Sequence, residues 1–230
     1  MRATQFIGAV GSLCLAAGTA LARRLRPPLQ TRSRRSQERV LDACAEMLAT
    51  QPFDRITMAD LARRAGVAVT SIYARFSDKH ALVLALHERH VEETARHTAT
   101  LLDPDRWRGA DLETVVRGMI AGVVAHLVPR AHLLRAVLLA DDPDVEARAA
   151  ELMRRGSQAV AELLGPRLGA VAPRERDRLV DFALRAVMAL VHQRLIFSRH
   201  EPGRFALSER ELTRRLGDLF LAIVTNGGRR

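Results

Sequence analysis

Residues 57–79, TMADLARRAGVAVTSIYARFSDK, read as two short helices joined by a tight turn and followed by the start of another helix. Thr57 can cap the first helix, because Asp60 follows three residues later at the spacing of a capping box. Gly66 predicts the end of that helix, since glycine adopts the positive φ angle that other residues resist at a helix C-terminus.

The second helix of this stretch is predicted over residues 68–74. Its pattern directs Ile72 into the core and leaves the other faces open to a partner. A helix of this length fits the major groove of DNA, where base edges present distinguishable donor and acceptor patterns. Residues 57–76 therefore predict a DNA-binding helix-turn-helix. The side chains left for the groove are those of Val69, Thr70, Ser71 and Tyr73. The Val69 methyls suit a thymine methyl group, and Thr70 and Ser71 offer hydroxyls.

The segments that flank and form this motif resemble the N-terminal domain of TetR-type transcriptional regulators. The matching segments are residues 53–58 (FDRITM), 65–67 (AGV) and 72–79 (IYARFSDK), in continuous spacing within residues 33 to about 91. The resemblance implies an all-α fold, with an N-terminal three-helix helix-turn-helix domain and a C-terminal helical domain for ligand binding and dimerisation. It also implies that Thr57 and Tyr73 lie at the DNA and that Lys79 meets a phosphate.

Two positions depart from the capping pattern of that family. Ala68 stands where the family prefers serine, so the helix loses an N-cap and the hydroxyl loses a phosphate contact. Ser77 is predicted to cap the following helix, but His80 stands where the family places an acid. We expect the same fold with weaker helix ends.

The charge of the chain suits a nucleic-acid partner. The formal net charge is +10, and residues 1–50 hold eight arginines against three acidic residues. Residues 29–35 read as a polar arm from which Arg32, Arg34 and Arg35 can reach phosphates or the minor groove. A solvated lead-in explains each of these arginines equally well.

The order of segments predicts three regions. Residues 1–32 form an apolar and then arginine-rich extension that we expect to be poorly ordered, residues 33–93 the DNA-binding domain, and residues 94–226 the helical ligand-binding and dimerisation domain. Residues 3–22 alone would pass for a signal peptide or a marginal membrane span. An apolar extension of a cytoplasmic protein, or a misassigned start, is the preferred interpretation, and no membrane partner is expected.

The C-terminal region predicts a dimer interface and a ligand pocket. Its last two helices, around residues 179–197 and 212–224, would pair across a two-fold axis into a four-helix bundle, or would only close the core of the monomer. The middle helices would enclose an effector of unknown identity. The residues expected to face this pocket are Met119, Val123, His126, His132, Leu138, Phe182 and Met188.

Motifs of other functional classes are absent from the sequence. There is no glycine-rich phosphate loop, HExxH, GxSxG or CxxC pattern, so we expect neither catalytic residues nor a cofactor. His87 and His90 have a metal-compatible spacing, but no further ligand completes a site, and a mixed polar helix edge is the preferred interpretation. Together these features predict a cytoplasmic, ligand-responsive repressor that binds a palindromic operator as a homodimer. The alternative is a membrane-tethered or non-repressing helical DNA-binding or adaptor protein.

Overall fold

The computed structural model describes residues 31–138, 142–169, 171–197 and 202–226. The extension predicted for residues 1–32 lies almost entirely outside these ranges. Within them the chain is helical and has no strand, which confirms the predicted all-α class.

The α-helices follow the predicted periodicity closely. They are α1 (Thr31–Thr50), α2 (Met58–Ala65), α3 (Val69–Tyr73), α4 (Lys79–Leu101), α5 (Leu112–Leu127), α6 (Ala131–Leu138), α7 (Pro143–Leu164), α8 (Pro173–Ile196) and α9 (Glu209–Asn226). Short 3-10 helices cover Phe53–Arg55, Pro104–Trp107, Val128–Arg130 and Gly165–Arg167.

The chain divides into two compact units. The first, here called the reading unit, holds residues 31–94 and Pro129–Arg148; the second holds Ala95–Val128 and the described chain from Ala149 onward. The predicted boundary at residue 93 had assigned Pro129–Arg148 to the C-terminal region. In the structure this segment packs with the reading unit, because Leu133 and Val137 belong to the same buried cluster as α1 and α2.

The core of the reading unit is formed by one apolar face from each of its helices. Fully buried members include Leu48 of α1, Leu61 of α2, Ile72 of α3 and Leu82 of α4. Cys44 lies in this core as predicted, and burial raises the pKa of its thiol to about 12. The thiol therefore stays protonated near neutral pH, and Cys44 acts as a small apolar residue.

Side-chain caps hold the starts of α5 and α9. The Asp111 carboxylate accepts a hydrogen bond from the Thr114 amide at 2.8 Å and so caps α5. The Ser208 hydroxyl accepts from the Glu211 amide at 3.1 Å at the start of α9. Each cap satisfies one of the amides that a helix leaves without an internal partner.

Two predicted starts were wrong. Helix α1 begins at Thr31, so the backbone of residues 31–35, predicted as an extended arm, is helical instead. Helix α4 begins at Lys79, and its cap is Asp78 rather than Ser77. The Asp78 carboxylate accepts from the Ala81 amide at 2.7 Å, while the Ser77 hydroxyl donates to Asp78 at 2.9 Å. A charged acceptor outcompetes the neighbouring hydroxyl for the amide.

The second unit is built around α5, α8 and α9, which pack together. Its core includes Val115 of α5, Val187 and Val191 of α8, and Phe220 of α9, all fully enclosed. By length and composition alone, Leu112–Leu138 could cross a membrane, with 39% of its most apolar window buried. Core helices of soluble proteins share these properties, so this stretch is weak evidence for a membrane span.

Candidate nucleic-acid interface

The start of α2 is held by a pair of hydrogen bonds between Thr57 and Asp60. The Thr57 hydroxyl accepts a hydrogen bond from the Asp60 amide at 3.1 Å. The same hydroxyl donates a hydrogen bond to the Asp60 carboxylate at 2.6 Å. The hydrogen bond from Thr57 lowers the pKa of Asp60. The predicted cap is therefore present, but the carboxylate accepts from the hydroxyl rather than from the backbone amide of a standard capping box. Thr57 is exposed, and its contact with DNA stays a prediction.

The turn between α2 and α3 has the predicted left-handed glycine. Gly66 lies at φ 63° and ψ 42°. The Gly66 amide donates to the Arg63 carbonyl at 3.3 Å, and the Val67 amide donates to the Ala62 carbonyl at 3.0 Å. These bonds satisfy carbonyls at the end of α2 and set the direction in which the chain enters α3.

Helix α3 brings the predicted reading residues onto one short element. Ile72 is fully buried and anchors the helix, as predicted. Val69 and Tyr73 expose 37% and 53% of their surface, far more than large apolar and aromatic residues usually do. Thr70 is exposed and Ser71 is half-buried. The surface formed by Val69, Thr70, Ser71 and Tyr73 is called the α3 face below.

Ala68 precedes α3 in an extended conformation and makes no side-chain cap, as the sequence predicted. The Ser71 amide instead donates to the Ala68 carbonyl at 2.9 Å. The loss of the family's serine therefore leaves the helix start intact but without a capping hydroxyl.

Lys79 lies at the start of α4 and already has two contacts within the protein. Its ammonium donates to the Asp54 carbonyl at 3.3 Å and lies 4.5 Å from the centre of the Phe53 ring. These contacts tie the Phe53–Arg55 turn to α4. An ammonium has three donors, so a DNA phosphate can be bound in addition, and this contact stays a prediction.

The arginines predicted to assist lie on α1. Arg35 is exposed, whereas the side chain of Arg34 lies outside the part of the chain that the structure describes. Other basic groups near the motif are engaged with acids: Arg63 contacts Asp60 at 2.5 Å, and Arg64 contacts Glu46 at 2.8 Å. Such exposed pairs contribute little to stability and can exchange partners with phosphate.

The residues predicted for the ligand pocket are distributed over both units. Met119 is buried, Val123, His126 and Met188 are half-buried, and Phe182 is 63% exposed, all in the second unit. His132, half-buried, and Leu138, exposed, belong to the reading unit. The His126 ring stacks on His97 with 4.4 Å between ring centres, so its flat face is already covered.

A cavity of about 410 Å³ lies in the reading unit, and none of the predicted pocket residues lines it. Its apolar wall includes Leu48, Leu86 and Leu133, and its charged wall includes Arg89 and Arg130. Sequence periodicity assigns these apolar residues to the core and the arginines to the surface. Only the packing of α1 and α4 with the chain around residues 129–133 shows that they surround a space.

His80 and His87 of α4 form part of a polar cluster. His80 Nε2 lies 3.1 Å from the carboxylate of Asp142, which also caps α7 by accepting from the Asp144 amide at 2.9 Å. Burial lowers the pKa of His87 to about 4, and the positive charge of Arg148 contributes to this shift. In the described ranges no group of three side chains has the arrangement of a metal site.

Comparisons with known proteins agree with this geometry. Residues 40–86 match the family model described as bacterial regulatory proteins, tetR family. A helix-turn-helix transcriptional regulator of Mycobacterium tuberculosis (strain H37Rv) is 31% identical over 83 residues, which cover 36% of this chain and 40% of that protein. The chain thus matches about two fifths of the length of this curated relative.

Solved structures share the fold over most of the chain. A TetR-family regulator from Mesorhizobium loti superposes with a TM-score of 0.64 at 17% identity, covering 86% of this chain and 98% of the other. The FadR regulator of Bacillus subtilis, solved in complex with stearoyl-CoA, superposes with a TM-score of 0.50 at 15% identity, covering 82% and 97%. The matched family and relatives are transcriptional regulators rather than enzymes, in agreement with the prediction from the sequence. Residues 40–86 therefore match the N-terminal domain of the tetR family, and the described remainder shares its helical fold with solved TetR-family regulators.

Proposed function

We propose that this protein is a cytoplasmic repressor that binds a palindromic operator as a homodimer and releases it when a small-molecule effector binds. The observation that carries the proposal is the α3 face. A left-handed Gly66 and a fully buried Ile72 hold α3 in place, while Val69, Thr70 and Tyr73 stay exposed with no role in the core. Exposed apolar and aromatic groups on a rigid short helix are suited to the major groove.

The α3 face divides the contacts by chemistry. The Val69 methyls and the hydroxyls of Thr70 and Ser71 would meet base edges, which carry the sequence information. Tyr73 and Lys79 would meet the backbone, which sets register and affinity. Thr57 and the arginines of α1, Arg34 and Arg35, would add phosphate contacts at the edge.

Dimerisation is supported by the surface of α8. Phe182, Leu190 and Phe197 are exposed large apolar residues within or directly after this helix. Helix α9 differs, because Leu212, Leu216, Phe220 and Val224 are buried in the core of their own unit. We therefore propose that α8 supplies most of the apolar contact between two copies and that α9 contributes its half-buried flank.

An effector is supported by the behaviour of proteins with this fold. The structure of FadR from Bacillus subtilis is a complex with stearoyl-CoA. A ligand can act on DNA binding only if it prefers one conformation of the protein over the other. For this chain we propose the same logic, with a small-molecule effector that prefers the conformation unable to bind the operator.

The test is DNA binding by the full chain, measured by fluorescence anisotropy with duplexes from the region upstream of its own gene. We expect Lys79→Ala to weaken binding to all duplexes and to lower the slope of log K against log salt by about 1, because one phosphate contact is lost. Thr70→Val should instead change base preference at one or two positions, by about 1–3 kcal/mol. Arg108→Met, an exposed position in the second unit outside α8 and α9, serves as the control.

Two results would reject the proposal. One is the absence of duplex binding by the well-folded wild-type protein. The other is a Thr70→Val variant that loses affinity for all sequences equally, since a base-reading residue must discriminate among them. Thermal unfolding of each variant shows whether weaker DNA binding comes from a lost contact or from a destabilised fold.

A further inference from the structure

Helix α3 and the residues beside it carry short or uncharged side chains. Residues 67–74 read VAVTSIYA and contain no arginine, lysine, asparagine, glutamine, aspartate or glutamate. Paired hydrogen bonds to one base come from long side chains, arginine or lysine on guanine and asparagine or glutamine on adenine. Residues 67–74 therefore offer no side chain that can make such a paired contact.

The exposed centre of α3 carries methyl groups. At about 100° per residue, Thr70 and Ala74 lie on the side of the helix opposite the buried Ile72. Both are exposed, and Ala74 continues the helical path with φ −65° and ψ −17°. Thr70 has a γ-methyl group beside its hydroxyl, and Ala74 has its β-methyl group. Val69, on one flank of this centre, exposes 37% of its surface and adds the methyl groups of its isopropyl side chain.

The nearest long basic side chain belongs to Arg75 and lies on another flank. Its position on the helix is about 60° from Ile72 and about 140° from Thr70. Arg75 is half-buried, and its Nε atom is enclosed by protein. The exposed centre of α3 is thus aliphatic and hydroxylic, with the guanidinium group of Arg75 starting from the side of the core.

Methyl groups on a reading helix match one feature of the major groove. Thymine alone among the four bases has a methyl group at C5, and this group projects into that groove. Contact between it and an aliphatic side chain removes apolar surface of both partners from water. Each methyl group buried in this way contributes about fourfold in affinity, which corresponds to about 0.8 kcal/mol.

We propose that α3 selects its operator by the C5 methyl groups of thymine, contacted through Val69, Thr70 and Ala74, and not by paired hydrogen bonds to guanine or adenine. The inference rests on the proposed function and names the base feature that its reading face recognises. A palindromic operator is read by two copies of α3, so at least two methyl groups contribute. Their effects multiply to roughly sixteenfold.

The test compares duplexes from the region upstream of the protein's own gene, synthesised with thymine or with uracil at every thymine position. Deoxyuridine pairs with adenine as thymidine does and keeps the backbone charge, but it lacks the C5 methyl group. Binding of the full chain to both duplexes is measured by fluorescence anisotropy at one salt concentration. We expect the uracil duplex to bind at least about tenfold more weakly.

Variants distinguish lost methyl contacts from altered DNA stiffness, because sequence-dependent deformability also affects affinity. Thr70→Ser removes the γ-methyl group and keeps the hydroxyl, and Val69→Ala shortens the flank. In each variant the ratio of thymine to uracil affinity should shrink by at least about fourfold, since the methyl contact is already lost on the protein side. Lys79→Ala is the matched control, because the loss of a phosphate contact should weaken binding to both duplexes equally.

The contrary results separate this inference from the proposed function. Equal affinity of the wild type for the two duplexes would overturn the methyl readout and leave DNA binding standing. An undiminished ratio in both folded variants, Val69→Ala and Thr70→Ser, would also overturn it and would assign the uracil effect to the DNA. Failure of the wild type to bind the thymine duplex would instead reject the proposed function. Thermal unfolding shows whether each variant is folded.

Discussion

At the scale of single residues, the placement of the α3 face depends on the backbone conformation of Gly66. Gly66 adopts a left-handed conformation at the end of α2, and its own amide and that of Val67 complete the turn. A β-carbon at Gly66 would have space, since its nearest neighbour is an Arg39 nitrogen at 3.7 Å. The requirement for glycine therefore comes from the φ angle and not from crowding.

We expect Gly66→Ala to destabilise the protein by about 1–2 kcal/mol, the cost of placing an L-residue in the left-handed region. Gly156→Ala is the matched control, because Gly156 lies within α7 with open space around its missing β-carbon and no positive φ. That change should be neutral or stabilising by up to about 1 kcal/mol. Urea unfolding measures both variants, and equal effects would contradict the conformational explanation.

At the scale of secondary-structure elements, the start of α4 shows how local competition decides a boundary. Ser77 and Asp78 are adjacent, and either can cap a helix. In the structure Asp78 is the cap: its carboxylate accepts hydrogen bonds from the Ala81 amide and from the Ser77 hydroxyl. The bond from the Ala81 amide is also the largest cause of the lowered pKa of Asp78.

Substitution of the two residues should have unequal effects. Asp78→Ala is expected to cost about 1 kcal/mol, because an amide at the start of α4 loses its acceptor. Ser77→Ala should cost less, because its hydroxyl supports the cap without bonding to the backbone. Thermal unfolding at pH 7 compares them, and a larger loss from Ser77→Ala would restore the assignment made from the sequence.

A buried polar cluster joins α4 to the first turns of α7 within the reading unit. His80 contacts Asp142 at 3.1 Å, and Arg148 forms a short ion pair with Glu88. His87 is buried beside them, where loss of solvation and repulsion from Arg148 lower its pKa and Asp142 partly offsets the shift. The folded protein therefore holds His87 neutral until the pH nears 4.

This depressed pKa makes stability depend on pH. The unfolded chain binds a proton at His87 near pH 6.5, whereas the folded chain binds it near pH 4, so stability falls as the pH decreases between these values. The full effect is roughly 2–4 kcal/mol, at 1.36 kcal/mol per pKa unit. Urea unfolding at pH 7, 6 and 5 should show a smaller decline for His87→Gln than for the wild type. Parallel declines would show that other groups are responsible.

At the scale of the whole molecule, the two units use their apolar surface differently. Among the described residues, the exposed large apolar side chains of the reading unit are those of Val69, Tyr73 and Leu138, whereas those of the second unit include Phe182, Leu190 and Phe197 within or directly after α8. An exposed apolar stripe of this kind is typical of a surface that binds another protein. A second copy of the chain is the partner that a palindromic operator requires.

Phe182→Glu should weaken the dimer by at least about 2 kcal/mol, because a charge would be buried within the apolar stripe. Phe205→Glu is the matched control, since Phe205 is also exposed but precedes α9 and lies outside both predicted interface helices. Sedimentation equilibrium measures the dissociation constant. A monomeric wild type at micromolar concentration, or a Phe182→Glu protein that stays dimeric, would contradict this interface.

The sequence alone was sufficient for features that depend on neighbours in the chain. The left-handed Gly66, the buried Ile72, the cap at Thr57 and the apolar stripes of the helices all result from interactions between residues a few positions apart. These follow from backbone sterics and helical periodicity, which a sequence displays directly.

Tertiary structure decided the features that combine distant segments. Residues 129–148 joined the reading unit because α6 packs against α1, a contact that no local pattern encodes. The cavity beside Leu48 and Arg130 exists only where α1, α4 and the chain before α6 meet. The apolar residues of α9 became core while Phe182 of α8 stayed exposed, although both helices are amphipathic. An amphipathic pattern indicates which face of a helix avoids water, but only packing determines which surface covers that face.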